Sequence, residues 1–304
     1  MGETIYFDVQ RRIVAHMTAS NWREAPHCGV SYETDLTNVL NVLADINSTR
    51  EKADRITVNT LFLKMLTEGI KHAPMMNAHL KFNRHVVLGE VTPQDSIDIS
   101  VPMICSNGKM MTITMKDFGN KNMDQMQAYI ADVRRRMDNT NMEKAMVDVC
   151  MENIFNDLRH LRLVSFGGHL LSAVMGKAKP HMMNRKEKAE YAKIPDSDKI
   201  TKDDIRQGTI TISNIGSVYR AGKVKTTILD LIAPQTIVIC IDAIATRDVP
   251  VEKDGVVKLE KRKFASFLTA FDHRAVDYED LVPMYEELDR IVDNPDVIRE
   301  WVDH

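Results

Sequence analysis

Three runs in the last third of this chain, GTITISNIGS (208–217), TIVICIDAIAT (236–246) and ASFLTAFDH (265–273), read as strands, and what surrounds them most constrains the fold. Each is rich in β-branched or aromatic residues and ends in turn residues. Elsewhere apolar residues recur at helical spacing. Asp8 is placed to cap DVQRRIVAHMTASNW, with Val9, Ile13 and Met17 along one side, and Asp35 follows the strand-like HCGVSYETDL to cap LTNVLNVLADINSTREK. TVNTLFLKMLTEGIKHAP runs to a stop at Pro74, MDQMQAYIADVRRRM is helical, and YEDLVPMYEELDRIVDNP closes the chain. Short extended runs lie at HVVLGEV, SIDISVPMI and KMMTITMKD, the last two joined by Asn107-Gly108. These elements interleave irregularly, not as repeated βαβ units. The expected class is therefore α/β (α+β), a mixed β-sheet with helices packed on one face. No internal repeat or low-complexity tract interrupts it.

A chain of 304 residues can hold one large α/β domain or two smaller ones. A formal charge of −3 leaves no electrostatic case for nucleic acid or an anionic membrane as the main partner. The basic run Arg134-Arg135-Arg136 reads as a solvated helix end. Cys28, Cys105, Cys150 and Cys240 are widely spaced, which argues against a zinc site or a disulfide framework and fits a reducing, cytoplasmic setting. The N-terminal MGETIYFDVQRR carries no apolar core of signal-peptide length, and no apolar run reaches the roughly 18 residues that span a membrane.

The usual phosphate cradles and nucleophile elbows are missing: no GxGxxG after a strand, no Walker lysine loop and no GxSxG. His16, His72, His79, His85, His160 and His181 show no metal-ligand spacing and read as surface or helix-face residues. His273 differs in its setting. The apolar run FASFLTAF delivers it to a turn, Arg274 and Asp277 follow, and a helix begins. A histidine held in one tautomer there can act as a general base, although HxxxD alone fits an ordinary strand-loop-helix joint. Ser213 ends a strand where the alternation stops at Ser213-Asn214, and taken alone it reads as a turn serine satisfying backbone groups.

Four segments in order, RRIVAHMTAS with its following APH, HAPMMNAHL, GTITISNIGS and FDHRAVD, together resemble the catalytic domain of the dihydrolipoyl acyltransferases. These are the E2 components of 2-oxo acid dehydrogenase complexes, and their catalytic domain shares its fold with chloramphenicol acetyltransferase. The resemblance covers nearly the whole chain apart from about 138–199. It implies a CoA-dependent acyltransferase in which His273 deprotonates a thiol and Ser213 hydrogen-bonds the tetrahedral oxyanion, a donor worth about 3 kcal/mol when well placed. It implies Asp277 as support for the histidine loop with Arg11 or Arg12 as its ion partner, and Asn214 and Arg274 as substrate-binding neighbours. Acyl-CoA or CoA would be substrate, no metal is implied, and the site would form between subunits of a homotrimer.

Departures from the family pattern are as specific. HRxxDG becomes HRAVDY, putting Tyr278 where the family backbone turns at glycine. The stretch after SNIGS, which borders the acyl and CoA channel in the family, carries Tyr219, Arg220 and lysines with a single Pro234. A lipoyl domain, a covalently attached lipoyl group and a peripheral subunit-binding domain are not expected, so a lipoyl-domain protein would act in trans. REWVDH is not the apolar tail with which large E2 cores join trimers. The stretch at about 138–199 is expected to be a helical insertion, with LRLVSFGGHLLSAVMG as a helical hairpin bending at Gly167-Gly168 and packed on the core, or else a lid, a lipid-facing patch or an oligomer contact. Three readings compete: acyl transfer to a dihydrolipoyl group, acyl transfer to another small acceptor, and an inactive E2-like scaffold. His273, Ser213 and Asp277 occurring together weigh against the last, while Tyr278, the altered stretch after SNIGS and the missing lipoyl domain favour the second over the first.

Overall fold

The computed structural model describes residues 2, 4–105, 108, 110–141, 144–145, 183–253 and 255–303. The apolar middle of the expected insertion, including Leu161, Leu163, Val164, Phe166, Leu170, Leu171, Val174 and Met175, lies outside them, as do Cys150, His160 and His181.

Helix α1 (Val9–Glu24) begins where Asp8 accepts the Arg11 amide, and Pro26 leads into strand β1 (His27–Asp35). Helix α2 (Thr37–Ser48) starts one residue after Leu36; Asp35 accepts the Thr37 amide at 2.9 Å. Thr57 caps α3 (Val58–His72), which ends before Pro74. A hairpin of β2 (Ala78–Asn83) and β3 (Leu88–Pro93) forms a separate two-stranded sheet, tied to the lead-in of β7 by the His79–Gln235 bridge. Next come β4 (Ile99–Ile104), β5 (Met110–Met115) and α4 (Met123–Asp138), the last opened by an Asn122–Gln125 capping box. Strands β6 (Ile210–Asn214), β7 (Ile237–Ile241), β8 (Ala245–Lys253) and β9 (Val256–Asp272) precede a C-terminal helix, Tyr278–Asp293.

The main sheet runs β1-β9-β7-β6-β4-β5, with β8 pairing the outer half of β9. Pairs β4–β6 and β6–β7 are parallel and the others antiparallel, the mixed sheet the sequence leads one to expect. On one face Ile237, Ile239, Ile241, Phe267 and Phe271 pack with Leu61, Phe62, Leu66, Met284 and Leu288 of α3 and the C-terminal helix. The other face carries a smaller apolar cluster, Ala25, Leu231, Val238 and Ala270, under the extended stretch that follows β6. Cover on both sides explains why β7 is buried at all five positions and reads as an unbroken apolar run.

Two details depart from expectation. Arg136 is not solvated: its guanidinium reaches Asp204 at 2.8 Å with both side chains nearly buried, tying α4 to the strand-bearing half. His79 is part-buried on β2, where desolvation pushes its pKa down, whereas His16, His72 and His85 are exposed. Pro295–Trp301 forms a 3-10 turn folded back on its own protomer, with Ile298 buried and the Asp303 amide donating to Asp124 at 2.8 Å. No described helix is long and apolar enough to cross a membrane.

Candidate active site

Strand β9 delivers His273 because its inner half is clamped between β1 and β7: His27 pairs Asp272 and Ile237 pairs Phe271. Beyond Asp272 the chain turns, and Asp272 organises the turn. Its carboxylate receives the Arg274 guanidinium through two contacts, at 2.9 and 2.6 Å, and the Arg274 amide at 3.0 Å. Its carbonyl accepts the amides of Ala275 (2.9 Å) and Val276 (3.1 Å). The His273 amide is held by the Pro26 carbonyl at 3.3 Å. The backbone under His273 is therefore fixed from three sides while its side chain stays exposed.

The ring itself has a carboxylate beside it. His273 Nδ1 lies 3.2 Å from Asp277 Oδ1. That proximity favours the proton on Nδ1 and leaves Nε2 as the basic nitrogen, the form a general base needs. Asp277 also starts the C-terminal helix, its amide donating to Asp280 at 2.8 Å. The arginine partner expected for Asp277 is not brought to it: its ion-pair partner among the described residues is His273. Arg11 and Arg12 lie on α1, where the Arg12 Nε donates to the Phe7 carbonyl at 3.1 Å. Arg274, read from the sequence as a substrate-binding neighbour, braces its own turn through Asp272 and stacks its guanidinium 5.3 Å over the Phe82 ring.

Ser213 is the penultimate residue of β6, on the face opposite the main helical layer. Its hydroxyl is part-buried and, among the described residues, meets only a long 3.4 Å contact to the Ile239 carbonyl, so it remains available to another acceptor. Asn214, the other expected substrate contact, has its side chain spent locally: the amide donates to Asn59 at 2.8 Å and the oxygen accepts the Ser217 amide at 3.1 Å. These bonds set the turn that follows, where a Cβ on Gly216 would come within 2.9 Å of Ala243 Cα. The stretch after it is strapped across the sheet near Ser213. Asp242 accepts the Thr226 amide (3.0 Å) and hydroxyl (2.8 Å), Lys225 reaches Glu33 at 3.2 Å, and the Leu231 amide donates to His27 Nε2 at 3.0 Å. Tyr219, Arg220 and Lys223 are exposed on it.

The two central residues do not meet within one chain. Ser213 pairs with Cys240, and Cys240 with Leu268. His273 lies five residues beyond Leu268, so the two stand at opposite ends of the sheet, roughly 16 Å apart along the strands alone. Asp272, Phe271 and the packing of Tyr278 were not anticipated as parts of this site. The signal for the first was present, since an aspartate two residues before Arg274 offers that arginine a partner inside the turn.

The sequence model of the family 2-oxoacid dehydrogenases acyltransferase (catalytic domain) matches residues 3–148 and 176–299. The mitochondrial dihydrolipoyllysine-residue acetyltransferase component of the pyruvate dehydrogenase complex of Neurospora crassa is 21% identical over 286 residues, 94% of this chain and 48% of that protein. The chain thus spans about half the length of the curated relative it matches. Among solved structures, a probable dihydrolipoamide acetyltransferase from Listeria monocytogenes superposes with a TM-score of 0.64 at 15% identity, covering 97% of this chain and 95% of that one. The Azotobacter vinelandii dihydrolipoamide acetyltransferase, studied for the role of a serine, a histidine and an asparagine in its catalytic mechanism, gives 0.63 at 16% identity, with 98% and 94% covered. A truncated catalytic core of the 2-oxoacid dehydrogenase multienzyme complex from Thermoplasma acidophilum gives 0.60 at 18%, with 97% and 99% covered. At such identities these likenesses speak for the fold alone.

Proposed function

The chain belongs to the family of 2-oxoacid dehydrogenase acyltransferase catalytic domains, and from that premise we propose that it moves an acyl group between coenzyme A and the thiol of a dihydrolipoyl group. The observation that carries this reading is the separation of His273 from Ser213. A base and an oxyanion donor on opposite ends of one sheet can work together only if a second copy supplies one of them. The working unit is then a homotrimer, with each site made from His273 of one subunit and Ser213 of the next.

In that site His273 Nε2 takes the proton of the attacking thiol. The thiolate sulfur forms a bond to the thioester carbonyl carbon, and the carbonyl electron pair moves onto oxygen. The Ser213 hydroxyl donates to that oxyanion, a hydrogen bond that strengthens as charge develops and so lowers the barrier more than it tightens substrate binding. Collapse breaks the original carbon–sulfur bond, and the departing thiolate recovers the proton from His273. Asp277 keeps the imidazole in the Nδ1–H form and steadies the imidazolium that forms between the two transfers.

The acyl acceptor is a dihydrolipoyl group carried by a lipoyl domain, with free CoA as the co-product. The interval 149–175, between the two stretches that match the family, belongs to the insertion we place at about 138–199 in a single catalytic domain. Mixing the protein with acetyl-CoA and dihydrolipoamide, beside alcohol and amine acceptors, and following free CoA tests the reading. Release that depends on dihydrolipoamide supports it; release only with an alcohol or amine assigns a different acceptor. No release with any acceptor turns the chain into the inactive scaffold.

A further inference from the structure

Tyr278 stands where the family pattern has glycine, but its backbone does not need one. It is the first residue of the C-terminal helix, and Val87 and Asp117 are the non-glycine residues with positive φ among those described. Its side chain is not a core residue either, being 55% exposed. Instead it closes a triangle of rings. His273 and Phe271 lie 5.5 Å apart at 67°, Phe271 and Tyr278 5.3 Å apart at 83°, and His273 and Tyr278 5.6 Å apart at 81°. All three pairs meet edge to face, the arrangement aromatic quadrupoles favour. Phe271 is fully buried and anchors the triangle in the core.

Resting on the role of His273 as the base, we propose that Tyr278 is a positioning residue for that histidine. An imidazole on a surface turn is free to rotate about both side-chain torsions. Here Asp277 stands at Nδ1 and the two rings stand at its faces and edges, so one orientation is retained, with Nε2 turned toward the incoming thiol. The charged groups nearest on the turn, Asp272 and Arg274, are paired with each other and leave Asp277 as the ionic partner of the ring. The Tyr278 hydroxyl makes no hydrogen bond among the described residues, so the ring and not the hydroxyl supplies the restraint. A glycine at 278 offers no such contact.

The test compares the full chain with Tyr278→Leu and Tyr278→Phe, both of which keep a side chain suited to the helix start. Two quantities are measured: steady-state acetyl transfer from acetyl-CoA to dihydrolipoamide, and the rate at which diethyl pyrocarbonate modifies His273, followed by peptide mass spectrometry. Tyr278→Leu should lower kcat about 10- to 100-fold with little change in KM, the signature of a misplaced catalytic group. It should also speed modification of His273, whose ring loses a neighbour. Tyr278→Phe should restore both quantities. The proposal is overturned by a wild-type kcat and modification rate in Tyr278→Leu, by a change confined to KM, or by Tyr278→Phe behaving like Tyr278→Leu. Absence of transfer by the wild-type chain overturns the acyltransferase reading alone; the modification rates then still decide whether Tyr278 holds the ring.

Discussion

Co-assembly of His273→Ala and Ser213→Ala chains should recover activity that neither chain has alone. Register puts the two residues at opposite ends of the sheet, with Ser213 level with Leu268 and His273 five residues on. No side-chain rotation spans the roughly 16 Å this leaves along the strands. Each single variant should therefore be impaired at every site of its own oligomer, by about 10²–10⁴-fold for the lost base and about 10²–10³-fold for the lost oxyanion donor. Chains of the two kinds, carrying different affinity tags and purified through both, form only mixed trimers. In a closed cyclic trimer with either two-to-one composition, one junction in three joins an intact histidine to an intact serine. Turnover per chain should accordingly return to about one-third of wild type by this cyclic arithmetic. The assay is CoA release from acetyl-CoA with dihydrolipoamide. Mixed trimers no more active than the single variants would refute the between-subunit site, as would a monomeric fraction with full turnover.

Three further outcomes follow from the same geometry. Asp272→Asn, which leaves the part-buried Arg274 guanidinium without its carboxylate, should cost about 1–3 kcal/mol in urea melts, as expected for losing hydrogen bonds to a charged group, while Arg274→Lys should lose less and neither should act first on acetyl-CoA affinity. Glu33 is held down to about 2, chiefly by hydrogen bonds from Arg247, against an ordinary value of 4.5. Its stabilising effect is therefore full above pH 4.5 and disappears as pH falls toward about 2, so urea midpoints of wild type and Glu33→Gln should converge across that window. A Cβ at Gly208 would sit 2.3 Å from the Asp98 carbonyl oxygen, and Gly208→Ala should lower stability by about 1–3 kcal/mol through overpacking; an unchanged midpoint would show that β4 and β6 separate freely there.

What could be read in the sequence followed from how each element is covered. Strands β6, β7 and the inner half of β9 are shielded on both faces, so they carry long apolar runs that stand out without any structure. The outer half of β9 and its partner β8 form an exposed ribbon in which Arg247, Asp248, Glu252, Lys258 and Lys261 interrupt the pattern, and the ribbon escapes an apolar-run reading. Asp254-Gly255, with Gly255 at φ +73°, was the turn signal that could have found it. The same logic divides the candidate site. A strand that ends in a turn announces His273 and Ser213 one at a time, because each is a local feature. Which groups surround them is not local. The resemblance led to an arginine for Asp277 and a substrate for Arg274. In the fold Arg274 finds Asp272 two residues away, which leaves Asp277 to face the imidazole. Pairing order across the sheet is equally invisible in a linear pattern. It is that order, with β7 between β6 and an antiparallel β9, that sends the serine and histidine to opposite ends, and the proposed reaction joins them through a second copy of the chain.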